Sequence, residues 1–206
     1  MCTHGGSGLG RWIYGTVAEQ VLHHSPVPVL LVYPTGEAQT MELESGRMTF
    51  LVPLDGSTFA EAALPHAVAL ARTFDGELLL LRALEPRSAV YTYPTVVHVA
   101  GASDEVRGEA EAYLKAMVGR LRGEGISAER MMQEGWPANV ITCQAAALES
   151  CTIIMATHGR SGVARLLLGS VALEVVRRSA TPILLIRPRE QPAEADQPDA
   201  TVWIDP

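Results

Sequence analysis

The chain has 206 residues, enough for one or two domains, and its 48% hydrophobic and 19% charged residues match a soluble globular protein. A formal charge of −7 and a pI near 5.4 exclude a basic nucleic-acid surface. No apolar run approaches the roughly 20 residues of a membrane span, and no basic segment followed by an apolar one marks a signal peptide. The three cysteines, Cys2, Cys143 and Cys151, lack metal-site spacing and read as small apolar residues of a reducing cytoplasm. Lys115 is the only lysine and follows no glycine-rich loop, which removes the Walker-type NTPases.

In chain order, the first feature is a repeat. Residues 1–34 (MCTHGGSGLGRWIYGTVAEQVLHHSPVPVLLVYP) reappear without a gap as residues 155–188 (MATHGRSGVARLLLGSVALEVVRRSATPILLIRP). The shift pairs Met1 with Met155, Gly5 with Gly159, Gly15 with Gly169 and Pro28 with Pro182. The second copy closes a full-length unit. Residues 1–34 are therefore expected to be the closing segment of a first repeat, and residues 35–46 a polar linker. Residues 47–188 are expected to form a complete domain, followed by a disordered acidic tail over 189–206. The pairing of Met1 with an internal methionine also agrees with a start lying further upstream.

From residue 47 strands and helices alternate. Met48–Leu54 (MTFLVPL) reads as a buried strand ended by Asp55-Gly56. Ser57 or Thr58 caps a helix whose apolar positions Ala62, Ala63, Ala67, Leu70 and Ala71 keep a helical period as far as Asp75-Gly76. Glu77–Leu84 (ELLLLRAL) lacks alternation, as a strand covered on both faces should. After a long connection over 85–102, Ser103 caps a helix to about Arg122, and Gly123-Glu124-Gly125 stops it. Ile126–Gln133 is a weaker strand. Gly135-Trp136-Pro137 starts the third helix, Cys151–Ala156 is a buried strand, and a helix over 170–179 leads to a last strand over 182–187. Five strands alternating with four helices predict an α/β fold, a parallel sheet with helices on both faces, preceded by a partial helix–strand repeat.

Ligands of open α/β sheets sit beyond the carboxyl ends of the strands. Two such ends carry chemistry here: Pro53-Leu54-Asp55-Gly56-Ser57, and Met155-Ala156-Thr157-His158-Gly159-Arg160-Ser161-Gly162 followed by Gly169-Ser170. Gly159 and Gly162 let backbone amides approach an anion, and Gly169-Ser170 open a helix whose N-terminus favours an oxyanion. Ser170 adds a hydroxyl donor and can cap that helix. A glycine turn with an ordinary serine cap is the alternative reading of the same residues. His158 is read as a turn histidine rather than a base, because no carboxylate in the motif is placed to orient it, and no catalytic residue is assigned. Gly5-Gly6-Ser7-Gly8-Leu9-Gly10 imitates a dinucleotide fingerprint but has no strand before it in this chain.

FLVPLDGSTFAEAALPHAVALA and MATHGRSGVARLLLGSVALEVVRRSATPILLIRP resemble the opening and closing segments of the universal stress protein family. Its nucleotide-binding members carry Gly-x2-Gly-x9-Gly-Ser/Thr in the closing segment. This chain supplies Gly159, Gly169 and Ser170, with Ala156 in place of the first glycine. The resemblance implies a Rossmann-like five-stranded sheet in the order 3-2-1-4-5. It also implies ATP or a related adenine nucleotide as ligand, with Asp55 on the ribose or adenine edge. Ala83 and the Met155 backbone would line the adenine pocket, and Gly159, Gly169, Ser170 and Val171 would hold the phosphates. Arg160 is a nearby cation for a terminal phosphate, Asp55 could help hold Mg²⁺ indirectly, and the Ala156 methyl group would weaken binding.

In the resembling family the last strands pair across a two-fold axis. Residues 27–33 are accordingly expected to pair antiparallel with residues 181–187, as a homodimer or as an intrachain pseudo-dimer. The expected function is a cytoplasmic nucleotide-binding stress or energy sensor, with no nucleic-acid or membrane partner. A dimerisation or adaptor module that binds no nucleotide and a slow ATPase are the alternatives.

Overall fold

The computed structural model describes residues 21–22, 25–33, 47–86, 91–92, 95–96, 102–158 and 168–188. Its strands are β1 (Val29–Leu31), β2 (Thr49–Pro53), β3 (Glu77–Leu84), β4 (Tyr91–Thr92), β5 (Thr95–Val96), β6 (Ala128–Glu134), β7 (Cys151–Ala156) and β8 (Ile183–Ile186). The helices are α1 (Thr58–Glu61), α2 (Leu64–Thr73), α3 (Asp104–Gly123), α4 (Pro137–Ala147) and α5 (Ser170–Arg178). Most of the leading repeat, the linker and the acidic tail lie outside the described residues.

One six-stranded sheet runs β1-β8-β7-β2-β3-β6, and β4-β5 form a separate two-stranded ladder inside the long connection. Counted from β2, the five parallel strands stand in the order 3-2-1-4-5. The difference from a five-stranded sheet is β1. It pairs antiparallel with β8, with Val29 opposite Leu185 and Leu31 opposite Ile183, so the sheet is mixed. An antiparallel partner needs no crossover helix, which lets a strand from outside the βα series join its edge.

The sheet separates two apolar layers. On one face Phe50, Val52, Leu78, Leu80 and Ile154 meet Ala60 of α1, Leu64, Ala67 and Ala71 of α2, and Leu114, Met117, Val118 and Leu121 of α3. On the other, Leu51, Leu79, Leu81, Ile153, Met155, Ile183 and Leu185 meet Ala138, Ile141 and Ala145 of α4, and Ala172, Val175 and Val176 of α5. Successive residues of β2, β3 and β7 thus serve opposite layers, which explains their unbroken apolar runs. Each fully buried valine, leucine, isoleucine, methionine or phenylalanine among them contributes about 1.5–3 kcal/mol.

Local chemistry sets the boundaries. The single helix expected after Ser57 is two: Pro65 stands in the first turn of α2, where a missing N–H costs nothing, and α1 ends before it. Ser57 caps α1 through the Ala60 amide at 3.2 Å, and Ser103 caps α3 through the Val106 amide at 3.4 Å. α3 carries Asp104 and Glu105 in its first turn and Arg120 and Arg122 in its last, the charge order its dipole favours. Gly125, at φ 78°, turns the chain after α3, and β6 begins at Ala128 rather than at Ile126, which is buried in the turn. Gly76 is required by close approach: a Cβ there would lie 2.6 Å from the Phe50 ring and 2.7 Å from the Met48 carbonyl oxygen.

Candidate functional site

The strand registers bring the site residues to one level. Thr49 pairs with Glu77 and with Cys151, and Pro53 with Leu81. Continuing both registers to the carboxyl edge puts Asp55 level with Ala83 of β3 on one side and with Thr157, just past β7, on the other. Neighbouring strands lie about 4.8 Å apart, so these three residues form a short row where the strand order reverses.

Asp55 sits in a tight turn of its own making. Its Oδ1 accepts from the Ser57 amide at 2.9 Å and from the Ser57 hydroxyl at 2.6 Å, while Gly56 adopts φ 83°. The half-buried carboxylate is thus oriented by two donors and anchored to the cap of α1. Ala83 is half-buried and packs on the α4–α5 layer, as does Met155, which is almost fully buried. Ala156, the last residue of β7, is also buried.

The second half of the site is the junction of β7 with α5. The Thr157 amide donates to the Ile186 carbonyl at 2.8 Å, and the Gly169 amide donates to the Thr157 carbonyl at 2.7 Å. A Cβ on Gly169 would lie 3.0 Å from that carbonyl oxygen, a tight contact that a larger residue would relieve only by moving the helix start from the strand end by a few tenths of an ångström. Gly169, not Ser170, is the N-cap of α5, and no side chain caps the helix. The cap expected of Ser170 is therefore absent. Ser170 is the exposed first residue of the helix and Val171 is half-buried behind it. First-turn amides have no intrahelical carbonyl to bond, so this end presents N–H groups and partial positive charge at the same edge as Asp55. The Thr157 hydroxyl lies 3.1 Å from Nδ1 of His158. Gly159, Arg160 and Gly162 lie outside the described residues.

Beneath the Asp55 turn is a polar cluster that the motifs do not flag. Arg82 of β3 is buried, and its Nη1 donates to the Leu54 carbonyl at 3.3 Å. Tyr113 of α3 donates its hydroxyl to Glu61 Oε1 of α1 at 2.9 Å. Burial and the Glu61 bond hold the Tyr113 hydroxyl well above the ordinary tyrosine range; Arg82 pulls it down and Asp55 pushes it up. The sequence signal for Arg82 is its place as the one charge after four leucines in ELLLLRAL. Nothing comparable marks Tyr113 or Glu61, which lie on surface-patterned helices. Among the described residues, no three His, Cys, Asp or Glu side chains gather into a cation site, and no helix is long and apolar enough to cross a membrane.

Parallel strands in this order, an acidic turn at the reversal point and a helix N-terminus held against the neighbouring strand end define a doubly wound α/β domain. The sequence profile of the universal stress protein family matches residues 1–33 and 46–187. The chain belongs to that family. It is 30% identical over 137 residues to a universal stress protein of Methanocaldococcus jannaschii, across 66% of this chain and 80% of the relative. A universal stress protein from Archaeoglobus fulgidus superposes with a TM-score of 0.57 at 26% identity, over 83% of this chain and 53% of that one. Another structure from A. fulgidus, solved in complex with dAMP, gives a TM-score of 0.51 at 23% identity, over 67% of this chain and 96% of that one.

Proposed function

We propose that this chain binds an adenine nucleotide, ATP foremost, at the carboxyl edge of the sheet and serves as a nucleotide-responsive stress sensor in the cytoplasm. The observation that carries the reading is the row of Asp55, Ala83 and Thr157 with the first turn of α5 drawn against it by the Gly169 contact. In this reading Asp55 accepts hydrogen bonds from the ribose or the adenine edge, and Ala83 and the Met155 backbone line the base. Gly169, Ser170 and Val171, with Gly159, Arg160 and Gly162 of the preceding loop, face the phosphates. The relative solved with dAMP supports this class of ligand. Mg²⁺ would enter with the triphosphate rather than on a site built by protein side chains.

A second reading is favoured by one residue. Ala156 is 6% exposed and stands where the motif of nucleotide-binding members has glycine, so an adaptor that has lost the ligand is the competing function. In either case we take residues 27–33 as the remnant of another repeat, whose strand occupies the β8 edge as in a pseudo-dimer.

Mass spectrometry of small molecules released from the purified protein, followed by ATP titration, separates the two. Expected are a bound adenine nucleotide and an Asp55→Ala variant weakened roughly 10- to 100-fold, the range for a lost hydrogen bond to a charged acceptor. No nucleotide and no binding at millimolar ATP would assign the adaptor.

A further inference from the structure

We propose that Arg82 is the positioning residue of the site: its guanidinium holds the Leu54 carbonyl from beneath and so fixes the turn that presents Asp55. The proposal rests on the reading of Asp55 as a nucleotide contact.

Residues 78, 80, 82 and 84 of β3 share one face of the sheet. Three are buried leucines and the fourth is Arg82, only 9% exposed. A leucine or methionine would fill that position without desolvating a charge, and burying a guanidinium is costly wherever hydrogen bonds and counter-charges do not repay it. Here both are at hand. Leu54 is the first residue beyond β2: its amide donates to the Leu81 carbonyl at 2.8 Å, and its carbonyl receives Arg82 at 3.3 Å. Both backbone groups of Leu54 are thereby fastened to adjacent residues of β3. The next residue is Asp55, whose carboxylate is aimed by the Ser57 amide and hydroxyl. A shift of Leu54 is therefore a shift of Asp55.

The surrounding charges come from three elements: Asp55 on the β2–α1 turn, Glu61 on α1, and Tyr113 on α3, whose hydroxyl senses both Arg82 and Asp55. Arg82 is the cation among two carboxylates and a tyrosine. Its removal would loosen the stem of the turn.

The Ser57 amide reports on the turn without any ligand, because its acceptor is Asp55 Oδ1. In Arg82→Met, hydrogen exchange at Ser57 followed by NMR is expected to quicken about tenfold or more, the factor that one charge-assisted hydrogen bond represents. Exchange at Leu80 and Ile154 should remain as in the wild type. ATP affinity should fall by a similar factor, and Arg82→Lys should recover part of both losses. Asp55→Ala combined with Arg82→Met should bind no more weakly than Asp55→Ala alone, since Arg82 acts through Asp55. Arg82→Gln replaces Arg82→Met should the latter not fold, with the same expectations. Unchanged Ser57 exchange in a folded variant, or additive losses in the double variant, would overturn the proposal. A wild-type protein that binds no adenine nucleotide would defeat the function proposed above, while Ser57 exchange would still decide whether Arg82 holds the turn.

Discussion

Burial decides the reactivity of Cys151. The thiol stands at the start of β7, and burial pushes its pKa up to about 11, with only a small opposing effect from a backbone hydrogen bond at Leu51. The raised value leaves the thiolate scarce near neutral pH; at pH 8 roughly one thiol in a thousand is ionised. Cys143 is exposed on α4. Alkylation with iodoacetamide at pH 8, read site by site by peptide mass spectrometry, is expected to modify Cys143 long before Cys151. Equal rates would mean that β7 opens readily.

Asp55 and Gly169 stand out in the sequence as candidates because a strand end and a spaced glycine motif carry them, whereas Ala83 and the Met155 backbone are candidates only through the family resemblance. Ser170 can cap a helix by residue type, but Gly169 takes the cap position here, in close contact with Thr157. Arg82 and Tyr113 were out of reach for a different reason. Their partners Leu54 and Glu61 lie 28 and 52 residues away; the pairing of β2 with β3 makes the first contact and the approach of α3 to α1 the second.

At the scale of elements, β1 is the part whose contribution can be weighed directly. Leu31 has no exposed surface and joins the α4–α5 layer, and the Tyr33 hydroxyl donates to the Val176 carbonyl of α5 at 2.6 Å. Without β1, β8 would present an open edge of unpaired backbone groups. Leu31→Ala is expected to lower the unfolding free energy by about 2–5 kcal/mol, the range for a fully buried leucine. Val27→Ala, at a site 61% exposed, should stay within about 0.5 kcal/mol. Denaturant unfolding of both variants checks this, and equal, small effects would show that β1 is not docked in solution. The repeat aligns this strand with β8, and the family resemblance implied that two such last strands pair antiparallel, as β1 and β8 do. The split of α1 from α2 was written in Pro65, yet the helical period of alanines runs straight across it. Periodicity reports which side faces the core, and it is silent on a break that keeps that side facing inward.

The whole molecule is asymmetric in its chemistry. The two copies of the repeat share the spacing Gly5-x9-Gly15-Thr16 and Gly159-x9-Gly169-Ser170. Among the described residues, the second copy lies beside a strand end carrying an aspartate, because β7 pairs with β2 and β2 leads to Asp55. On the proposed function, a site that needs both the acidic turn and the helix N-terminus forms at this copy, one for each Asp55. Isothermal titration of the full chain with ATP, with sites counted per chain, tests this most directly. Expected is one site per chain, abolished or strongly weakened in Asp55→Ala; two equivalent sites, or a single site indifferent to Asp55→Ala, would contradict it.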